Sequence, residues 1–259
     1  MRLLFPTAPV VLCLFAGQVL SAAGSCTADQ WKSKNQSTVA ESREERLSAA
    51  ADTIIDPGVN GGIRIHGWDN QDVLVRACIH ASASTEDDAY ALLREVKIVR
   101  GPADLEPDGP SDSNSRHWEI SYEIWMPNKS NIQARSVNGG ITIESLEGQI
   151  RFHTQNGGVN LINVAGDVDG STQNGGLTVQ LSGSSWRGAG LRAETQNGGI
   201  NVSVPDGYSA QIEASTVNGG MHVNFPVQLS GRMLSFNLGS GGAPIRINTT
   251  NGGVHITKT

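Results

Sequence analysis

The sequence predicts an all-β protein, a parallel β-solenoid of stacked repeats with a small helix-containing cap on its amino-terminal side. Three observations carry that reading. The 259 residues include 31 glycines and only 5% aromatics, a composition of many turns and small side chains. The tripeptide Asn-Gly-Gly recurs at Asn60, Asn138, Asn156, Asn174, Asn197, Asn218 and Asn251. Around the last six copies, apolar and polar residues alternate with a period of two.

The first 25 residues read as a secretory signal peptide: Arg2, an apolar run from Val10 to about Leu20, then small residues. The run is too short and too soon interrupted for a comfortable membrane-spanning helix. Cleavage after Ala23 fits the small residues Ser21 and Ala23. The segment "AAGSC" also resembles a bacterial lipobox, which makes Cys26 a candidate lipidation site, although Ala23 stands where leucine is commoner. Cys13 leaves with the signal peptide, so Cys26 and Cys78 either form one disulfide or, with Cys26 lipidated, leave Cys78 a lone thiol in "VLVRACIHA".

Residues 26–131 form the amino-terminal region, with a divergent first repeat at Asn60 and a strand-like run over 73–81. "STEDDAYALLREV" has polar starters, acids in its first turn and a Tyr90/Leu93 apolar pairing, which predicts a short helix from about Glu86 to Glu95. "EVKIVRG" and "RHWEISYEIWMP" read as strands separated by a loop rich in Pro, Gly, Asp and Ser. A solenoid must close its ends against edge pairing, and this region is the expected cap.

Residues 132–259 hold the repeat array. Six positions before the motif Asn stand Ile132, Ile150, Val168, Leu191, Ile212 and Ile245; three and five after it the residues are aliphatic or Met221. Two before it stands a hydroxyl: Ser136, Thr154, Thr172, Thr195, Thr216 or Thr249. Each unit is therefore a half-buried strand, a turn and a second half-buried strand. Asn-Gly is also a strong hairpin signal, so an antiparallel barrel or sandwich of similar hairpins is the competing architecture. Side-chain identity in "HTQNGGVNL", "STQNGGLTV" and "ETQNGGINV" favours the solenoid, where an Asn above an Asn passes its amide hydrogen bond along a ladder and Thr columns do the same with hydroxyls. The Asn is expected in a left-handed turn, with glycines at positive φ and close packing of corners that lack Cβ atoms. Longer intervals carry insertions such as "SGSSWRGAG", and "GSGG" at 239–242 could hide a degenerate further turn.

The repeated "NGG" with two alternating aliphatics, the "LEGQI" and "VAGDV" corners and the passage "VPDGYSAQIEASTVNGG" resemble the bacterial putative-adhesin β-solenoid domains of unknown function, over roughly residues 60–259. The resemblance implies a secreted or envelope-associated repeat fold with adhesion as a conjectured role, and it brings no catalytic residues.

The chemistry-bearing residues do not recur in register. Asp167 and Asp169 in "GDVDG" are the best acidic pair for a polysaccharide-active enzyme, yet turn acids usually cap or face solvent. His222 and His255 each fall four residues after a motif Asn, on one outward face but separated by an irregular segment. The glycine-rich pieces lack the lysine of a phosphate loop and the aspartates of a calcium-binding array. Neither catalytic residues, nor a metal site, nor a cofactor is expected. Trp186, with Arg187 beside it in an insertion at an expected corner, is the candidate binding pair, able to stack on a sugar or contact a partner, although a tryptophan in such a place more often folds over the solenoid edge. A net charge of −6 without a basic run argues against nucleic acid. The expected role is an exported, non-enzymatic adhesion, interaction or scaffold module of the bacterial cell envelope, periplasmic or surface, whose partner is an envelope component, surface glycan or protein, with membrane contact only through a lipid anchor. A polysaccharide-active enzyme and an envelope-stress sensor are the alternatives.

Overall fold

The computed structural model describes residues 26–27, 36–100, 104–113, 115–226 and 232–259; the signal-peptide assignment to residues 1–25 lies outside them. In chain order the elements begin with β1 (Ser37–Ser48), β2 (Asp52–Ile55), β3 (Ile63–Trp68), β4 (Asp72–Ala83), α1 (Glu86–Glu95), β5 (Lys97–Arg100), β6 (Asp104–Asp108) and β7 (Arg116–Pro127). The repeats supply β8 (Asn131–Asn138), β9 (Ile141–Glu144), β10 (Glu147–Asn156), β11 (Val159–Ile162), β12 (Ala165–Asn174), β13 (Leu177–Gln180), β14 (Gly190–Asn197) and β15 (Ile200–Val204). The chain ends with β16 (Ala210–Asn218), β17 (Met221–Val223), β18 (Met233–Leu238), β19 (Pro244–Asn251) and β20 (Val254–Lys258).

The two strands that flank each Asn-Gly-Gly do not pair with each other. The first joins one ten-stranded sheet, β18-β16-β19-β14-β12-β10-β8-β2-β6-β5, and the second joins the other, β1-β4-β7-β3-β9-β11-β13-β15-β20-β17. Equivalent strands pair in parallel and in register, for example Ile150 with Ile132 and Val168, and Val159 with Ile141 and Leu177. This excludes the hairpin alternative and gives two large, mostly parallel sheets in a solenoid-like stack. The sheet holding β10 is called the long-strand sheet below.

The aliphatic columns face one another between the sheets, and Ile132, Ile150, Ile141, Val159, Leu177, Ile200, Ile245 and Val254 are each at most 3% exposed. One apolar cluster runs from Ile55 to Ile256, so both sheets cross the boundary drawn at 131/132 without a break in the core. At about 25 cal/mol per Å² of apolar surface, burial along these columns is the main stabilising term.

The stacking order departs from chain order. Asn197 is followed in the stack by Asn251 and only then by Asn218, because β19 lies between β14 and β16, and β20 between β15 and β17. Gly239, Gly241 and Gly242 have φ of 53°, 76° and 141°, the left-handed region that lets "GSGG" reverse the chain from β18 into β19. It is a turn, and no extra coil lies there. β18 then pairs antiparallel with β16 at the sheet edge.

At the other end β7 joins β3 in parallel and β4 and β1 follow it antiparallel, while β6 and β5 extend the long-strand sheet past β2. The helix α1 starts at Thr85, whose Oγ1 accepts from Asp88 N at 3.2 Å, with Glu86, Asp87 and Asp88 in the first turn. Its buried face is Ala89, Leu92 and Leu93, packed on Val39, Ala81 and Ala83. Tyr90 is 45% exposed, so the expected Tyr90/Leu93 pairing gives way to Ala89/Leu92/Leu93, the residues at helical spacing on the inner side. Arg43 on β1 donates to the carbonyls of Leu93 and Val96 at 2.8 and 2.6 Å and satisfies the helix carboxyl end.

Of the two reasons expected for Asn-Gly-Gly, close packing of the corners holds and left-handed backbone does not. Among the described residues only Ser145 and Asn163 are non-glycine residues at positive φ, and of the motif glycines only Gly61 is. The first glycine is instead required by its neighbour: a Cβ on Gly157 would lie 2.2 Å from Gly139 O, and one on Gly175 2.1 Å from Gly157 O. The second glycine is far less constrained, since a Cβ on Gly158 would meet Gly176 O at 3.4 Å. Left-handed backbone is used at the opposite corner, where Asn163 Nδ2 donates to Ser145 Oγ at 3.2 Å.

Candidate interaction face

Each coil turns half of its strand residues outward, and in-register pairing lines these up into columns. The motif asparagines form the expected amide ladder. Asn138 donates to Asn60, Asn156 to Asn138, Asn174 to Asn156, Asn197 to Asn174, Asn251 to Asn197 and Asn218 to Asn251, at 2.7–3.0 Å. The hydroxyl column behaves differently from expectation. Thr154 Oγ1 donates to Gly139 O, Thr172 to Gly157 O and Thr195 to Gly175 O, each at 2.8 Å, so hydroxyl bonds run to the neighbouring coil's backbone and not to the next hydroxyl. These threonines are at most 3% exposed, and a backbone acceptor satisfies each one within the core.

Outside the threonines, the long-strand sheet carries a groove of about 410 Å³. It is lined by His153, Ser171, Gln173, Glu194, Gln196 and Asn248 among others, drawn from the five strands β10, β12, β14, β19 and β16. Ser215 Oγ donates to Asn248 Oδ1 at 2.7 Å, and Asn248 Nδ2 donates to Glu194 Oε1 at 3.2 Å. Arg192 closes on the same carboxylate oxygen at 3.0 Å, and His153 Nδ1 lies 3.1 Å from Ser171 Oγ. Among the described residues Glu194 is thus the one carboxylate lining the groove, and it is compensated by the Arg192 guanidinium. Apart from the His153 imidazole and the Val217 side chain, the remaining groups are hydroxyls and amides that both donate and accept. Such a surface offers hydrogen-bond donors and acceptors to polar groups.

The sequence singled out other positions. Trp186 is 7% exposed and its Nε1 donates to Gly166 O at 3.1 Å, so the indole folds into the core and does not offer a ring face for binding. The insertion that carries it bends back over the corner, where a large apolar ring gains more from burial than from exposure. Arg187 remains exposed and pairs with Glu147 at 3.3 Å. Asp167 and Asp169 lie on β12 and not at a turn; Asp167 is held by Arg151 at 2.6 Å. His222 and His255 are direct register partners with ring centroids 5.9 Å apart, because the last coil inserts beside the previous one.

Cys26 is joined to Cys78 by a disulfide with Cα atoms 5.5 Å apart. A lipid thioether needs the same sulfur, so the disulfide-bonded chain is not a lipidated one. Beside it, His80 faces Glu119 at 3.5 Å. Burial lowers the His80 pKa against the opposing Thr27 carbonyl, and burial raises that of Glu119 against the opposing charge of His117.

The groove relay of Ser215, Asn248, Glu194 and Arg192 was not singled out in the sequence. It depends on β19 entering between β14 and β16, and nothing local to those residues encodes that order. The Ser145 and Asn163 corner did leave a signal, since both stand seven residues after a motif Asn.

Among solved structures, the chain is similar to a putative cell adhesion protein from Clostridium sporogenes, with 14% identity over 85% of this chain and 100% of that one and a TM-score of 0.45. A putative adhesin from Bacteroides fragilis is 13% identical over 85% and 97% of the two chains, with a TM-score of 0.38. A putative lipid binding protein from Parabacteroides distasonis is 12% identical over 85% and 96%, with a TM-score of 0.26. No curated protein matches the sequence. The model of the Toastrack DUF4097 family matches residues 112–257, more than half of the chain, and the protein belongs to that family.

Proposed function

We propose that this chain is exported and works at the bacterial cell envelope as a non-enzymatic adhesion or scaffold module, holding a polar envelope component, a surface glycan or a protein, across the outer face of its long-strand sheet. The observation that carries the reading is the groove of hydroxyls and amides around Glu194, built on strands whose register is fixed by the Asn ladder and the threonine bonds. A face fixed in this way loses little entropy on binding, and its neutral lining suits a ligand of many hydroxyls or amides. The family is one of unknown function, so the assignment rests on this surface.

The test is retention of the purified protein on immobilised envelope polysaccharides and envelope proteins, wild type against the triple change Gln173→Ala, Glu194→Ala and Gln196→Ala. A loss of at least about tenfold, equivalent to 1.4 kcal/mol, with an unchanged melting temperature supports the face. Equal retention of both proteins sinks it. Protease treatment of intact cells with membrane fractionation tests the location: cleavage places the module at the surface, and protection places it in the periplasm.

The enzyme alternative has Asp167 and Asp169 as its candidate acids. The ion pair of Asp167 with Arg151 gives that carboxylate a structural partner, and turnover of envelope polysaccharide that disappears in Asp167→Asn would revive the alternative.

A further inference from the structure

The outward face of β4 carries a second, unrelated grouping. Cys78 and His80 are two residues apart on one strand, and Cys26 is brought onto them by the disulfide. The ligand atoms of Cys26, Cys78 and His80 all lie within 4.8 Å of one another. His80 Nε2 is 3.8 Å and Nδ1 is 4.0 Å from Cys78 Sγ. Nε2–H donates to Thr27 O at 3.2 Å, and Nδ1 faces Glu119 Oε1 at 3.5 Å. His80 and Glu119 are 9% and 8% exposed.

We propose that reduction of the Cys26–Cys78 bond by a dithiol converts this grouping into a zinc-class metal site, with the two thiolates and His80 Nε2 as ligands. A tetrahedral zinc centre places thiolate and imidazole donors about 3.6 Å apart and two thiolates about 3.8 Å apart, given bonds near 2.3 and 2.1 Å. The Nε2 to Cys78 Sγ distance of 3.8 Å is already close to the first requirement. Reduced sulfurs, no longer bonded, move apart toward the second. Glu119 then stands on the other ring nitrogen, the position of a carboxylate that orients a ligating histidine.

The chemistry balances. Two electrons and two protons from the dithiol turn the S–S bond into two thiols while the dithiol closes to its own disulfide. The ion displaces both thiol protons to solvent, and Nε2 exchanges its proton for the metal as Nδ1 takes one to face Glu119. The oxidised chain holds a staple and the reduced chain holds an ion, at one place on the fold.

Cobalt(II) is the probe, added anaerobically to the purified full chain before and after reduction. The expected result is one cobalt per chain, with thiolate-to-cobalt charge transfer, in the reduced protein only. Zinc displaces it, and His80→Ala weakens binding at least about tenfold. Absence of charge transfer in a reduced chain that keeps its β-sheet circular dichroism overturns the proposal, as does unchanged affinity in His80→Ala. If reduction alone abolishes the sheet signal, its recovery on adding one equivalent of zinc supports the site, and failure to recover overturns it.

Discussion

Asn251 donates its side-chain amide to Asn197 at 2.7 Å, although the Asn218 repeat lies between them in the chain. The last coil of the sequence is therefore an inner coil of the stack, paired on both sides: Ile247 registers with Ala193 and Ala214, and Ile256 with Val202 and Val223. Both isoleucines are fully buried. Replacing Ile247 or Ile256 by Ala should cost about 2–5 kcal/mol, as much as Ile150→Ala in mid-stack. Urea unfolding measures this. A cost well under 1 kcal/mol at Ile256 would mean a fraying terminal coil and would contradict the insertion.

The two motif glycines should separate cleanly. A methyl group on Gly157 meets the Gly139 carbonyl at 2.2 Å, and backbone on backbone has nowhere to yield without parting the coils. Gly157→Ala is expected to lose about 3 kcal/mol or more, at or beyond the upper end of overpacking changes. Gly158→Ala, with its nearest neighbour at 3.4 Å, should lie within about 1 kcal/mol of wild type. Equal melting temperatures for the two variants would remove close stacking as the reason for the motif.

Thr172 tests the hydroxyl column. Its Oγ1 bond to Gly157 O is buried, so Thr172→Val keeps the shape and leaves a carbonyl short of a partner, at about 1–2 kcal/mol. Thr172→Ser keeps the bond, as Ser136 already does to Gly61 O at 2.9 Å, and should cost less. Thermal unfolding of the pair decides it: a valine variant as stable as the serine one would show that the methyl, not the hydroxyl, is what the position requires.

The architecture was legible because a repeated environment writes a repeated sequence. Aliphatics before and after Asn156, Asn174 and Asn197 fall in the core, and the helix over 86–95 was marked by Thr85 and three acids. What could not be read was long-range order. Nothing near Asn251 says that it follows Asn197 in space, so the His222–His255 pairing and the Glu194 groove were out of reach. The glycines were correctly identified and half explained: close packing of corners that lack Cβ atoms holds and positive φ does not, since a neighbour's carbonyl and a positive φ both select glycine and leave the same letter. For Trp186 the sequence left both readings open, binding or folding over the edge, and the burial decides for the second because it depends on the corner the insertion folds against.

Tyr208 should give the fold an alkaline limit. The residue is 4% exposed in the loop between β15 and β16, and burial raises its pKa from 10.0 to about 12, against the opposing charge of Arg187. The neutral phenol is the buried form, so its contribution is complete below pH 10.0 and is lost as pH rises toward about 12. Urea midpoints followed across that window should fall more steeply for wild type than for Tyr208→Phe, which has no phenol to ionise. The difference between the two curves isolates this group from lysines and the other tyrosines. Parallel curves would mean that Tyr208 ionises without leaving its site, and that its burial does not set the limit.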